Sequence, residues 1–155
     1  MKKDNKQGHL LRAFVLNMAV NHTVLLEKGA DGSTVLSASS PDEQAFVAAA
    51  GLFGYTFSDR NLAKGEIEIT DPDGGKSTLQ ILEVLEYVSY RKRMSVIIRF
   101  PDGRIRLMCK GADSVIFERL RPDTSEDTKK VMLDQLGEWA EDAFRTLVFA
   151  GKDIA

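Results

Sequence analysis

Tyr87 to Asp113, reading YVSYRKRMSVIIRFPDGRIRLMCKGAD, constrains this chain more than any other stretch. Two runs of alternating apolar residues flank Pro101-Asp102-Gly103-Arg104, and Asp-Gly between such runs is a strong local signal for a β-hairpin. With Phe100 and Ile105 closing the loop, Ile98 falls opposite Leu107, Val96 opposite Cys109 and Ser95 opposite Lys110. One face is then apolar. The other carries Arg99 and Arg106 near the tip, Ile97 and Met108 midway, and Ser95 with Lys110 at the base. An ammonium at a strand end, followed by Gly111-Ala112 and a helix start at Asp113, suits an anionic ligand such as a phosphate. A solvated lysine on a sheet edge is the plainer reading of the same residues.

The chain around this hairpin has the make-up of an ordinary soluble domain, with 155 residues, 43% of them hydrophobic and 28% charged. Such a length buries a core of its own, and one domain over residues 1–155 is expected, with residues 1–8 as a flexible lead. A formal net charge of −2 argues against a general binder of nucleic acid or anionic membranes. The single cysteine, Cys109, allows no intrachain disulfide and no thiolate metal cluster, and its expected core-facing position makes it an inert thiol. No apolar run approaches a bilayer span, and the start lacks a signal-peptide core, so the chain is expected to be soluble and intracellular.

Periodicity supplies the other elements. Leu10, Leu11, Phe14, Val15 and Met18 recur at helical spacing. Thr23–Glu27 and Thr34–Ala38 read as strands across an Asp-Gly turn. Ser40-Pro41-Asp42-Glu43 is a helix start, with Ser40 as N-cap, Pro41 in the first position and Glu43 completing a capping box. Gly54 stops that helix before a strand over Tyr55–Asp59. Glu66–Thr70 and Thr78–Val88 read as strands, and because Leu82, Val84 and Tyr87 cannot all share one face, the second carries a bulge or is buried on both sides. A short helix follows Asp113. Ser125 caps a long one in which Met132, Leu136, Trp139 and Ala143 share a side, making Trp139 a core residue. Phe144–Ala150 resumes as a strand that starts with Arg145 and Thr146. The fold class is α+β, an antiparallel sheet flanked by helices. His9 and His22 are too isolated for a metal site, and His22 reads as structural.

Four motifs occur in one order: SPDE at Ser40–Glu43, RKRMSV at Arg91–Val96, CKGAD at Cys109–Asp113 and RTL at Arg145–Leu147. Together they resemble the nucleotide-binding domain of the P-type ATPases, specifically the phospholipid-transporting flippases. The likeness runs from His22-Thr23-Val24 through RTL. It implies a domain that holds ATP and carries it to a separate phosphorylation domain. By the same resemblance Tyr87 stands where an aromatic stacks on adenine, and Ser89 makes a polar contact two residues on. Glu43 lies near the adenine amino group, and Lys110 sits at the closed end of the pocket. Arg145 and Thr146 lie on the phosphate side, and Lys92, in the basic run, is carried over with them. Residues alone read Arg91–Arg93 as a solvated turn and Glu43 as a helix cap. Asn21, Ala143 and Phe144 depart from the family's usual cysteine, glycine and leucine.

No DKTGT sequence is present, so the phosphorylated aspartate and the Mg2+-binding aspartates of the family belong to another domain. The resemblance therefore implies a cytoplasmic domain of an integral membrane protein that binds ATP and ADP but does not complete the chemistry alone. One stacked ring and a few polar contacts imply an affinity nearer about 1 mM than 1 nM. Expected partners are the parent's phosphorylation and actuator domains and an accessory subunit, with neither nucleic acid nor direct membrane insertion. Two rival readings are a regulatory protein-binding module on the same fold and a free-standing phosphotransferase.

Overall fold

A computed structural model describes residues 6–154. Helix α1 (Lys6–Val20) leads into a two-stranded hairpin, β1 (Leu25–Lys28) and β2 (Thr34–Ser37). Helix α2 (Pro41–Leu52) follows. The strands β3 (Thr56–Asn61), β4 (Glu66–Thr70), β5 (Lys76–Leu85), β6 (Arg93–Arg99) and β7 (Ile105–Gly111) then form an antiparallel meander. Helices α3 (Asp113–Phe117) and α4 (Glu126–Glu141) intervene before β8 (Val148–Ile154) joins the sheet beside β7. This is the expected α+β architecture. Residues 6–8, expected in a flexible lead, are helical; residues 1–5 lie outside the described residues. Among the described residues no helix is long and apolar enough to cross a membrane.

The core lies between one face of the six-stranded sheet and helices α1 and α2. Val15, Met18, Ala19 and Val20 of α1 and Val47 and Ala50 of α2 meet Ile67, Ile69, Leu79, Val96, Ile98 and Met108 of the sheet. Burial of these side chains away from water is the main force holding the layers together. Strand β5 keeps its apolar residues on that face through a bulge between Ile81 and Glu83, so Ile81 opposes Ile98 and Val84 opposes Val96. Leu82 is the residue displaced outward. On the opposite face Ile116 of α3 and Val148 are buried apart from the main cluster.

The central hairpin forms in a different register from the one expected. Met94 opposes Lys110, Ser95 opposes Cys109 and Val96 opposes Met108. The cause is the turn. Phe100 N–H donates to Arg104 O at 2.9 Å, Gly103 N–H donates to Phe100 O at 2.9 Å, and Gly103 has φ +87. A three-residue loop ending in a left-handed glycine is thereby favoured over a four-residue one. Because faces alternate along a strand, a one-residue slip changes which side chains share one. Lys110 lies on the core side with Met94, Val96 and Met108, while Cys109, half-buried rather than core, is on the other side with Ser95.

Other expectations also change. Thr23 and Val24 do not join β1, because Thr23 N–H donates to Glu43 and Val24 N–H to the His22 ring, removing both from the ladder. The Ser40 side chain makes no capping bond, and the Glu43 carboxylate is engaged elsewhere. Ser125 does cap α4, accepting from Thr128 N–H at 3.1 Å. Helix α4, however, has no buried residue, and Trp139 is 46% exposed rather than core. Its apolar stripe is covered only in part. At its end Ala143 N–H donates to Ala140 O and Phe144 N–H to Trp139 O, a closure that places Ala143 at φ +59. Residues 144–147 then run as irregular chain, so the last strand starts at Val148, with Arg145 and Thr146 in the loop before it.

Candidate nucleotide site

A cleft of about 410 Å³ opens where the base of the β6–β7 hairpin meets the start of α2 and the loop after α4. Its walls include Thr23, Asp42, Glu43, Glu86, Tyr87, Met94, Lys110 and Arg145. The volume falls within the range of small-molecule sites.

Glu43, Val47 and Ala50 make the inward face of α2, so the helix drives a carboxylate into its own apolar stripe. That placement demands a counter-charge, since a buried carboxylate without one is strongly disfavoured. Lys110 supplies it. The corrected register turns Lys110 toward α2, and its Nζ donates to Glu43 Oε1 at 2.8 Å and to Asn21 O at 2.7 Å. Both side chains are less than a tenth exposed. Glu43 Oε2 accepts from Thr23 N–H at 3.0 Å and from Thr23 Oγ1 at 2.9 Å. Burial works to raise the Glu43 pKa, but the Lys110 ammonium and the two Thr23 bonds prevail and hold it below the usual carboxylate range. The Glu43 carboxylate is therefore ionised at neutral pH. Burial pulls the Lys110 pKa down against the attraction of Glu43 and Asp42.

Behind this pair the turn from α1 to β1 is locked by His22, which is fully buried. Its Nε2 lies 2.8 Å from Ala19 O and Nδ1 accepts from Val24 N–H at 3.1 Å, which places the proton on Nε2. Arg60, from β3, donates to His22 O at 2.6 Å. Burial, then the Arg60 charge, lowers the His22 pKa to about 3, so the ring is neutral.

The opposite side of the cleft is more open. Tyr87 follows β5 in the irregular segment before β6 and is 59% exposed, an aromatic surface left available inside a concavity. The Arg91 guanidinium donates to Leu85 O and Glu86 O and so fixes the backbone that carries Tyr87. Arg145 is well exposed and donates from Nη2 to Asp42 Oδ2 at 2.8 Å, linking the loop before β8 to the start of α2. Gly111 permits close passage at the hairpin base, where an added Cβ would lie 2.6 Å from Lys92 O.

The fold thus brings Glu43, Tyr87, Lys110 and Arg145 to one cleft. Thr146 lines an adjoining hollow with Asp42, Ala45, Phe46, Arg145 and Leu147. Ser89 and Lys92 line neither. Lys92 is an exposed turn residue at φ +49 whose carbonyl accepts from Ala112 N–H. Thr23, Asp42 and Glu86 also line the cleft, though sequence reasoning did not single them out. Asp42 and Thr23 sit inside motifs that could have pointed to them, whereas Glu86 had only its position beside Tyr87. Among the described residues no three or more His, Cys, Asp or Glu side chains gather as a metal-holding group.

The family model for the P-type ATPase cytoplasmic domain N matches residues 10–155. The chain is 46% identical over 139 residues to phospholipid-transporting ATPase IC of Xenopus tropicalis, an overlap of 88% of this chain and 10% of that protein. It is 44% identical over 138 residues to phospholipid-transporting ATPase ID of Mus musculus, covering 88% and 11%. To phospholipid-transporting ATPase DRS2 of Saccharomyces cerevisiae it is 39% identical over 151 residues, covering 97% and 11%. It spans only about a tenth of the length of these relatives.

Proposed function

Because this chain belongs to the family of P-type ATPase cytoplasmic N domains, we propose that its cleft binds ATP for delivery to an aspartate in a separate domain of a phospholipid-translocating parent. The observation that carries this reading is the convergence, in one cleft, of an exposed aromatic ring, a buried ammonium–carboxylate pair and an accessible guanidinium. Tyr87 offers a face for the adenine ring. Glu43 Oε1, bonded so far only to Lys110, retains acceptor capacity for an exocyclic amine, and the third Lys110 N–H remains for a ring nitrogen. Arg145 exchanges Asp42 for phosphate oxygens, to which its planar fork of donors is suited.

In this reading the domain grips and positions the nucleotide, and the transfer occurs elsewhere. Mg2+ arrives with the phosphates and is held by the parent's phosphorylation domain, which also supplies the acceptor aspartate. The phosphorylation and actuator domains are the partners. Phospholipid as cargo rests on the names of the relatives.

Calorimetric titration with ATP tests the proposal. Saturable binding, weakened when Arg145→Ala removes the guanidinium, is the expected result. Heat of dilution alone at several times about 1 mM nucleotide would refute it, because one stacked ring with a few charge-assisted bonds supports at least that affinity.

A further inference from the structure

We propose that Thr23 is a positioning residue for the nucleotide site, and that the Asn21–Thr23 turn is the rigid mount that holds Glu43 and Lys110 in one orientation. The inference rests on the ATP reading and goes beyond it, because Thr23 acts through Glu43.

Three adjacent residues serve both members of the pair. Asn21 O accepts from Lys110 Nζ at 2.7 Å, and Thr23 N–H and Oγ1 both donate to Glu43 Oε2. Between them His22 is held at Ala19 O, at Val24 N–H and, through its carbonyl, by Arg60. The turn is therefore fixed from three places: α1, Val24 just before β1, and β3. A carboxylate whose Oε2 takes two bonds from one residue cannot rotate without losing both. With Oε2 occupied, Oε1 is the oxygen directed to Lys110 and left to receive a ligand donor. The Lys110 ammonium likewise has two of its three N–H groups assigned.

The mount fixes the order in which an acceptor and a donor stand side by side in the cleft. The Watson–Crick edge of adenine offers a donor, N6–H, beside an acceptor, N1, whereas that of guanine reverses them, with O6 accepting beside N1–H. If Glu43 can swing, that order is blurred. Thr23 thus bears on base discrimination as well as on affinity.

The test compares Thr23→Val, which keeps shape and the backbone N–H but removes the hydroxyl, with Thr23→Ser, which restores it. Two readouts are taken on the folded protein. The first is the carboxylate carbon shift of Glu43 against pH without nucleotide. Thr23→Val should move its titration upward, and Thr23→Ser should return it. The second is affinity for ATP and GTP, where Thr23→Val should weaken ATP by about tenfold, the scale of one charge-assisted hydrogen bond, and narrow its preference over GTP. An unmoved Glu43 titration overturns the mount. So does an ATP-to-GTP ratio that stays constant while both affinities and the melting temperature fall, since that marks a merely structural residue. Wild-type protein that binds neither nucleotide while Glu43 still responds would instead sink the ATP reading.

Discussion

Lys110 Nζ donates to Glu43 Oε1 at 2.8 Å across 67 residues of sequence, and both side chains are buried. Removing either partner strands the other as a lone buried charge. Lys110→Met or Glu43→Leu should each cost about 3–5 kcal/mol, while the double substitution should cost less than the sum of the two. Urea unfolding of the four proteins measures this. Additive losses would show that the pair is not coupled.

Acid should loosen the fold through His22. Its folded pKa, about 3, lies below the unfolded value of 6.5, so the unfolded chain binds the proton first. The stabilisation is complete above pH 6.5 and is lost as pH falls toward 3, at up to about 1.4 kcal/mol per pH unit. Glu43, also depressed, adds to the loss once pH passes below its unfolded value of 4.5. Unfolding free energies at pH 7 and pH 5 should differ by about 2 kcal/mol. Replacing His22 by Gln should lower stability at both pH values yet flatten that difference.

Ala143 occupies the left-handed position that closes α4, at φ +59. A Cβ is disfavoured there, and Ala143→Gly should stabilise the protein by about 1 kcal/mol, raising the melting temperature by about 2–4 °C. Equal or lower melting temperature would mean that the glycine's added freedom in the unfolded chain outweighs the relief.

Asp42 competes for the guanidinium assigned to phosphate. Asp42→Asn frees Arg145 and removes a negative charge from the cleft wall, so ATP should bind more tightly, by about two- to fivefold at low salt. The gain should shrink as salt rises. Weaker binding at every salt concentration would show that Asp42 helps hold nucleotide.

Much of this was legible in the sequence. Alternation and Asp-Gly placed the central hairpin, the conflict among Leu82, Val84 and Tyr87 left a bulge in β5 as one of two outcomes, and four motifs in order carried the family. What escaped has physical causes. The hairpin register hung on whether Gly103 would take positive φ, and one residue decided which way Lys110 faced. Glu43 satisfied the pattern of a capping box, yet its spacing with Val47 and Ala50 put it on the buried face, where a cationic partner outweighs a cap. Trp139 kept helical spacing with Met132 and Leu136, but periodicity shows only that a face is apolar and not that anything covers it. The bond from Arg145 to Asp42 spans 103 residues, beyond any local pattern.

The most direct test of the account is an ATP titration of the isotopically labelled chain, followed by amide NMR and repeated with Tyr87→Ala. The account predicts saturable shifts clustered at Tyr87, Glu43, Lys110 and Arg145, and about five- to tenfold weaker binding when the ring is removed. Shifts absent from those residues at millimolar ATP, or an affinity indifferent to the loss of Tyr87, would contradict it.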